Sequence, residues 1–133
     1  MPLSRESFLK GPTGGLKVSG PIQLIGRDDP IHVRELSGLE MIELEGRRYK
    51  RAGQSLLLDY ANDDLNWTVA CLCDAQGNRL LTWKDWELAK GVPQTELASI
   101  ATEAKAINGG SRKVIEDAAK NSESDQSSSS PSA

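Results

Sequence analysis

The sequence predicts an α+β fold: an N-terminal β-hairpin, then a small bundle of about four helices, then a disordered C-terminal tail. Three observations carry that reading. Two short β-type runs, Ile22-Gln23-Leu24-Ile25 and Ile31-His32-Val33-Arg34, flank the turn-rich Gly26-Arg27-Asp28-Asp29-Pro30. Behind them, apolar residues recur at helical spacing in successive stretches bounded by capping and terminating residues. From Asn121 onward the composition shifts to serine, acid and proline, with an unbroken run from Ser127 to Ser130 and no apolar residue larger than Ala133. Such a segment buries too little surface to offset its ordering entropy.

With 133 residues, the chain suits one small domain. Residues 1–20 are expected to form a flexible arm, punctuated by Gly11, Pro12, Gly14, Gly15 and Gly20, with a short extended piece at Leu16 to Val18. Residues 21–110 form the folded unit, 111–120 a weak helix and 121–133 the disordered tail. Sixteen basic and 19 acidic residues leave a net charge of -3, which argues against nucleic acid as a partner. No run approaches the roughly 18 apolar residues of a membrane span, and residues 1–10 hold no signal-peptide core, so a cytoplasmic location is expected.

The elements follow in order. In the second β-type run Ile31 and Val33 share one face, and His32 and Arg34 share the other, expected to be wet. Ser37-Gly38-Leu39-Glu40 has the form of a capping box and starts a helix expected to reach about Arg51, ahead of Gly53. Its acids (Glu40, Glu43, Glu45) precede its bases (Arg47, Arg48, Lys50, Arg51), the order that suits a helix dipole; the bases also make a candidate patch. Across residues 54–73, Leu58, Ala61, Leu65, Val69 and Leu72 make one helical stripe, and Tyr60, Trp67 and Cys71 a second. A helix with two apolar stripes is central in its domain or covers something with its second face. The pattern also allows Asn62-Asp63-Asp64 to act as a fresh N-cap that divides this stretch. Thr82 caps a brief helix through about Lys90, which Gly91 ends. Pro93 stands near the start of the last helix, whose apolar face is Leu97, Ile100, Ala101, Ala104 and Ile107.

Chemistry-bearing motifs are missing. There is no phosphate-binding loop and no dinucleotide fingerprint. A single histidine, His32, leaves little room for a nucleophile–base pair. Asp28-Asp29 and Asp63-Asp64 read as a turn and a helix N-terminus rather than as catalytic or metal carboxylates. Cys71 and Cys73 lie too close in sequence to frame a secreted domain and are expected to be reduced, with no metal and no cofactor. The expectation is a non-enzymatic protein. Among its few aromatics, Trp83 and Trp86 lie on one side of a short helix, either as core anchors or as a contact site for a partner.

The run Ile31-His32-Val33-Arg34-Glu35-Leu36-Ser37-Gly38-Leu39-Glu40 resembles the strand-into-helix signature of tail assembly chaperones from long-tailed, siphovirus-type bacteriophages. Val69-Ala70-Cys71-Leu72-Cys73-Asp74-Ala75-Gln76-Gly77-Asn78-Arg79-Leu80-Leu81 resembles that family's helix ending in a D-x-x-G-x-x-L-F turn, and Thr82-Trp83-Lys84-Asp85-Trp86-Glu87-Leu88 and Ala106-Ile107-Asn108-Gly109 follow in the family's order. The resemblance covers about residues 21–110, and departs from the family at Trp83 and Trp86, where smaller residues are usual. It implies a protein that binds and solubilises the tape measure protein, helps recruit tail tube subunits in the bacterial host cytoplasm, and is absent from the mature virion. Self-association is compatible with that role, and no nucleic acid or membrane partner is implied. Tyr60, Trp67, Trp83 and Trp86 are the residues expected to touch the partner, with Trp83→Ala or Trp86→Ala expected to abolish solubilisation and leave the fold intact. The alternatives are a structural head–tail or tail-completion protein that stays in the virion, and a small cytosolic adaptor or regulator.

Overall fold

A computed structural model describes residues 2–11 and 14–109. The weak helix expected at 111–120 and the tail expected at 121–133 lie outside these residues. The fold is α+β with an N-terminal hairpin. The arm expected over residues 1–20 carries a helical turn, α1 (Arg5–Lys10), whose first backbone donors are met by Ser4: the Ser7 N–H donates to its hydroxyl at 3.1 Å. No residue of α1 is buried.

Strands β1 (Val18–Leu24) and β2 (Arg27–Arg34) pair antiparallel, with Val18 opposite Arg34 and Leu24 opposite Arg27. The connection is therefore only Ile25-Gly26, shorter than the loop expected from the sequence. Gly26, at φ +84°, supplies the left-handed turn that lets the strands close so tightly. Pro30 sits inside β2 without breaking the sheet, because β5 (Leu72–Cys73) reaches only His32 and Val33 on that strand's other edge. The sheet order is β1-β2-β5. Its second face is not the wet surface expected: Cys73 lies opposite His32, and Arg34 is ion-paired with Glu40, so both His32 and Arg34 are half-buried.

Helix α2 (Gly38–Arg48) starts from the predicted capping box: the Glu40 N–H donates to the Ser37 hydroxyl at 3.3 Å, and the Ser37 N–H to the Glu40 carboxylate at 3.0 Å. It ends three residues earlier than expected. Tyr49–Ala52 form β3, which turns through Gly53 (φ +65°) and Gln54 into β4 (Ser55–Leu58). The long helix expected over residues 54–73 is thus cut at its front; α3 runs Tyr60–Cys71. Leu56-Leu57-Leu58 is an unbroken apolar run, which fits either period, and the Gly53 turn decides for strand. From Leu65 to Cys71 every residue of α3 is buried, so this helix is the central one, the first of the two outcomes its apolar stripes allow.

After a turn closed by Asp74, a 3₁₀ turn (Trp83–Asp85) leads into α4 (Trp86–Ala89), and Pro93 precedes α5 (Gln94–Ile107). Two core clusters result. One joins the hairpin to α2, α3 and α5 through Leu24, Val33, Leu44, Trp67 and Ile100; the other joins α3 to α4 and α5 through Leu65, Val69, Ala89 and Leu97. Trp83 packs against both. Among the described residues no helix is long and apolar enough to cross a membrane.

Candidate functional site

The feature that stands out is an apolar groove of about 290 Å³ between the tip of the β1–β2 hairpin and the α4–α5 corner. Leu24 and Ile31 form its sheet wall, Leu72 and Leu81 its back, and Val92, Leu97 and Ile100 its helical wall. Thr68 adds its side chain to the lining, with its hydroxyl donated to the Asp64 carbonyl at 2.9 Å. At the mouth stands Leu88, 80% exposed although it is a large apolar residue on a helix. Among the described residues it belongs to neither core cluster.

The rim is charged. Arg27 reaches from the hairpin to α5 and donates two bonds to the Glu96 carboxylate, at 2.9 and 3.0 Å. The guanidinium holds the Glu96 carboxyl below the usual carboxylate range. Asp85 accepts from the Thr82 N–H at 2.8 Å and so fixes the start of the 3₁₀ turn beside the groove. The polar groups of the lining are engaged within the fold: Thr68 with the Asp64 carbonyl, Asp85 with the Thr82 N–H and Glu96 with Arg27. The chemistry of the groove is burial of apolar groups inside a polar edge.

The four aromatics expected to meet a partner are placed differently from one another, and none lines the groove. Trp67 is 6% exposed and belongs to the first core cluster, with the Arg48 guanidinium 5.2 Å from its ring centre. Trp86 is half-buried: its indole N–H donates to the Asn66 side-chain carbonyl at 2.8 Å, and the Lys90 ammonium lies 4.2 Å from its ring. The guanidinium groups of Arg47 and Arg79 lie 4.3 and 5.4 Å from the Trp83 ring centre. Trp83 and Trp86 pack against the cluster of Leu65, Val69, Ala89 and Leu97, the last two of which line the groove, and so support its wall from behind. Tyr60, 83% exposed, stands apart at the start of α3.

The other candidates resolve into structure. Arg48 of the basic cluster pairs with Asp63 at 2.8 Å and Glu45 at 3.0 Å; burial opposes its charge, and the bonds to those two acids outweigh that and raise its pKa. Asp63 also takes Lys105 at 3.3 Å, and Asp64 accepts from Gln94 at 2.9 Å. These carboxylates tie α3 to α2 and α5. Cys71 and Cys73 are free thiols, both buried, and burial pushes Cys71 up to about 12, far from a reactive thiolate. Among the described residues, no group of three or more His, Cys, Asp or Glu is placed to hold a metal ion.

Sequence reasoning missed the groove because its walls come from four separate parts of the chain. Arg27 and Glu96 are 69 residues apart, and no local pattern links them. The one signal was Leu88, a leucine among Glu87, Ala89 and Lys90 that falls on the same helix turn as Trp86 but on its outer side. No protein-family model matches the chain, and neither a curated protein nor a solved structure matches it.

Proposed function

We propose that this chain is a phage tail assembly chaperone that holds an apolar helical stripe of the tape measure protein in the groove. The groove carries the reading. At about 290 Å³ it lies just below the roughly 300–1,000 Å³ range of small-molecule pockets, which suits a few protruding side chains better than a whole ligand. An amphipathic helix presents such side chains at i, i+3 and i+4, and its polar flanks meet the charged rim. A tape measure protein exposes long stripes of this kind until the tail tube covers them, and chaperone copies that bind one short stretch each keep it soluble and accessible to tube subunits. The sequence resemblance over residues 21–110 supports the same role. The protein acts in the host cytoplasm and leaves before the virion is complete.

Co-expression with the tape measure protein tests this. Leu88→Glu changes an exposed side chain at the groove mouth, so the purified variant keeps the wild-type circular dichroism and melting midpoint. With it, the tape measure protein moves from the soluble fraction to the pellet, at least tenfold depleted from the supernatant. Unchanged solubility with Leu88→Glu rejects the groove as the client site. Mass spectrometry of purified particles separates the chaperone from a virion component, because only the latter is retained.

A further inference from the structure

The β3–β4 hairpin plays no part in the groove. It joins α2 to α3 as a ladder of Tyr49 opposite Leu58, Lys50 opposite Leu57, Arg51 opposite Leu56 and Ala52 opposite Ser55. Among the described residues it is a two-stranded sheet on its own, and two of its three leucines stay in solvent, Leu56 at 67% and Leu57 at 52% exposure. Two strands without a covered face are marginally stable in water. Its two edges differ. β3 carries Lys50 and Arg51, the charges that protect an edge from pairing, whereas β4 is Ser-Leu-Leu-Leu with neither charge nor proline.

We propose that β4 pairs antiparallel with β4 of a second copy of this chain, making a continuous four-stranded sheet across a two-fold axis. The backbone phase selects the register. Ala52 and Ser55 flank a two-residue turn, so that pair is hydrogen-bonded and the N–H and C=O of Leu56 and Leu58 point to the free edge. Pairing those two residues with each other's counterparts sets Leu57 opposite its own symmetry mate. Charge selects the edge and the partner. With β4 innermost, the two Lys50 columns stand about 14 Å apart, at about 4.8 Å per strand, beyond a physiological Debye length. Pairing β3 with β3 sets Lys50 opposite Lys50 in one register or Arg51 opposite Arg51 in the other, and like charges directly opposite are destabilising. A second copy of β4 brings an equally neutral, equally apolar edge, and the isologous contact closes as a dimer rather than a fibre. This dimer does not depend on the client proposed above.

Cysteine scanning and sedimentation test it. Leu57→Cys places two thiols on facing positions of a non-hydrogen-bonded pair, close enough to bridge when oxidised glutathione accepts the two electrons. The native Cys71 and Cys73 are buried and do not compete. The expected result is a covalent dimer on non-reducing electrophoresis for Leu57→Cys and monomer for Lys50→Cys. Wild type sediments as a dimer at tens of micromolar, and Leu57→Lys, which sets like charges opposite, sediments as a folded monomer. A monomeric wild type, a Leu57→Cys variant that does not cross-link, a Lys50→Cys variant that does, or a dimer that survives Leu57→Lys each overturns the proposal.

Discussion

Asn66 is 2% exposed, and its amide serves two elements at once: its nitrogen donates to the Arg47 carbonyl at the end of α2, at 3.2 Å, and its oxygen accepts from Trp86. Asn66→Ala leaves both groups without partners beside a small void. We expect a loss of about 3 kcal/mol, read as a fall in the urea midpoint at unchanged slope. Asn108 does comparable work at the far end of α5, where its oxygen accepts from the Leu36 N–H at 2.7 Å and its nitrogen donates to the Arg34 and Ala104 carbonyls. At this scale the sequence said little. An asparagine inside a helical pattern reads as a weak interruption, and nothing local shows which distant carbonyl it meets. The sequence offers Trp67, Trp83 and Trp86 as partner contacts, with core anchoring as the other reading for Trp83 and Trp86, and nothing local separates a tryptophan that is 6% exposed from two that are half-buried. Trp83 and Trp86 take cations on their faces and support the groove from behind, so alanine there tests packing before it tests partner contact.

Elements were legible where a cap or a turn residue named their ends. Ser37 and Glu40 start α2 as expected, and Ser37→Ala removes an acceptor from the helix N-terminus; the expected cost is about 1 kcal/mol, measured by thermal or urea unfolding. Thr82 and Pro93 also mark starts that the structure keeps. The β3–β4 hairpin was not legible, because Tyr49-Lys50-Arg51-Ala52 continues a plausible helix and Leu56-Leu57-Leu58 has no period of its own. Gly53 in the left-handed region, with the Asp59 N–H donating to the Arg48 carbonyl at 2.7 Å, closes that segment into a loop back on itself.

Across the whole molecule, folding lowers the pKa of four carboxylates and raises those of both buried thiols, Cys71 and Cys73, and so ties stability to pH. Burial pushes the Glu40 carboxyl up, but bonds from Ser37 and the charge of Arg34 outweigh it and hold the carboxyl low. Asp59 is lowered by Asn62, Asp74 by the Asn78 N–H, and Glu96 by Arg27. Each of these groups binds its proton more weakly folded than unfolded, so its contribution is complete above the ordinary carboxylate range and is lost as pH falls through the lowered folded values. Cys71 is raised by burial from 9.0 to about 12, so its contribution is complete below the unfolded value and declines as pH rises beyond it. Stability measured by urea unfolding is therefore expected to be level from about pH 5 to about pH 8 and to fall on both sides. Stability that increases as the pH is lowered below about 4 contradicts these pKa directions.

By itself the sequence determined the α+β class, the N-terminal hairpin, the central helix and most of the helix starts, because period, caps and turn residues act over a few neighbouring positions. Only the tertiary structure decided which apolar side chains close into the core and which are left to form the groove. Leu24, Leu81, Leu88 and Leu97 are alike as letters, and they differ only in what the folded chain brings against them. The Arg27–Glu96 bridge and the pairing of β5 on β2 belong to the same class. Each depends on contacts between segments far apart in the chain, for which local propensity carries no term.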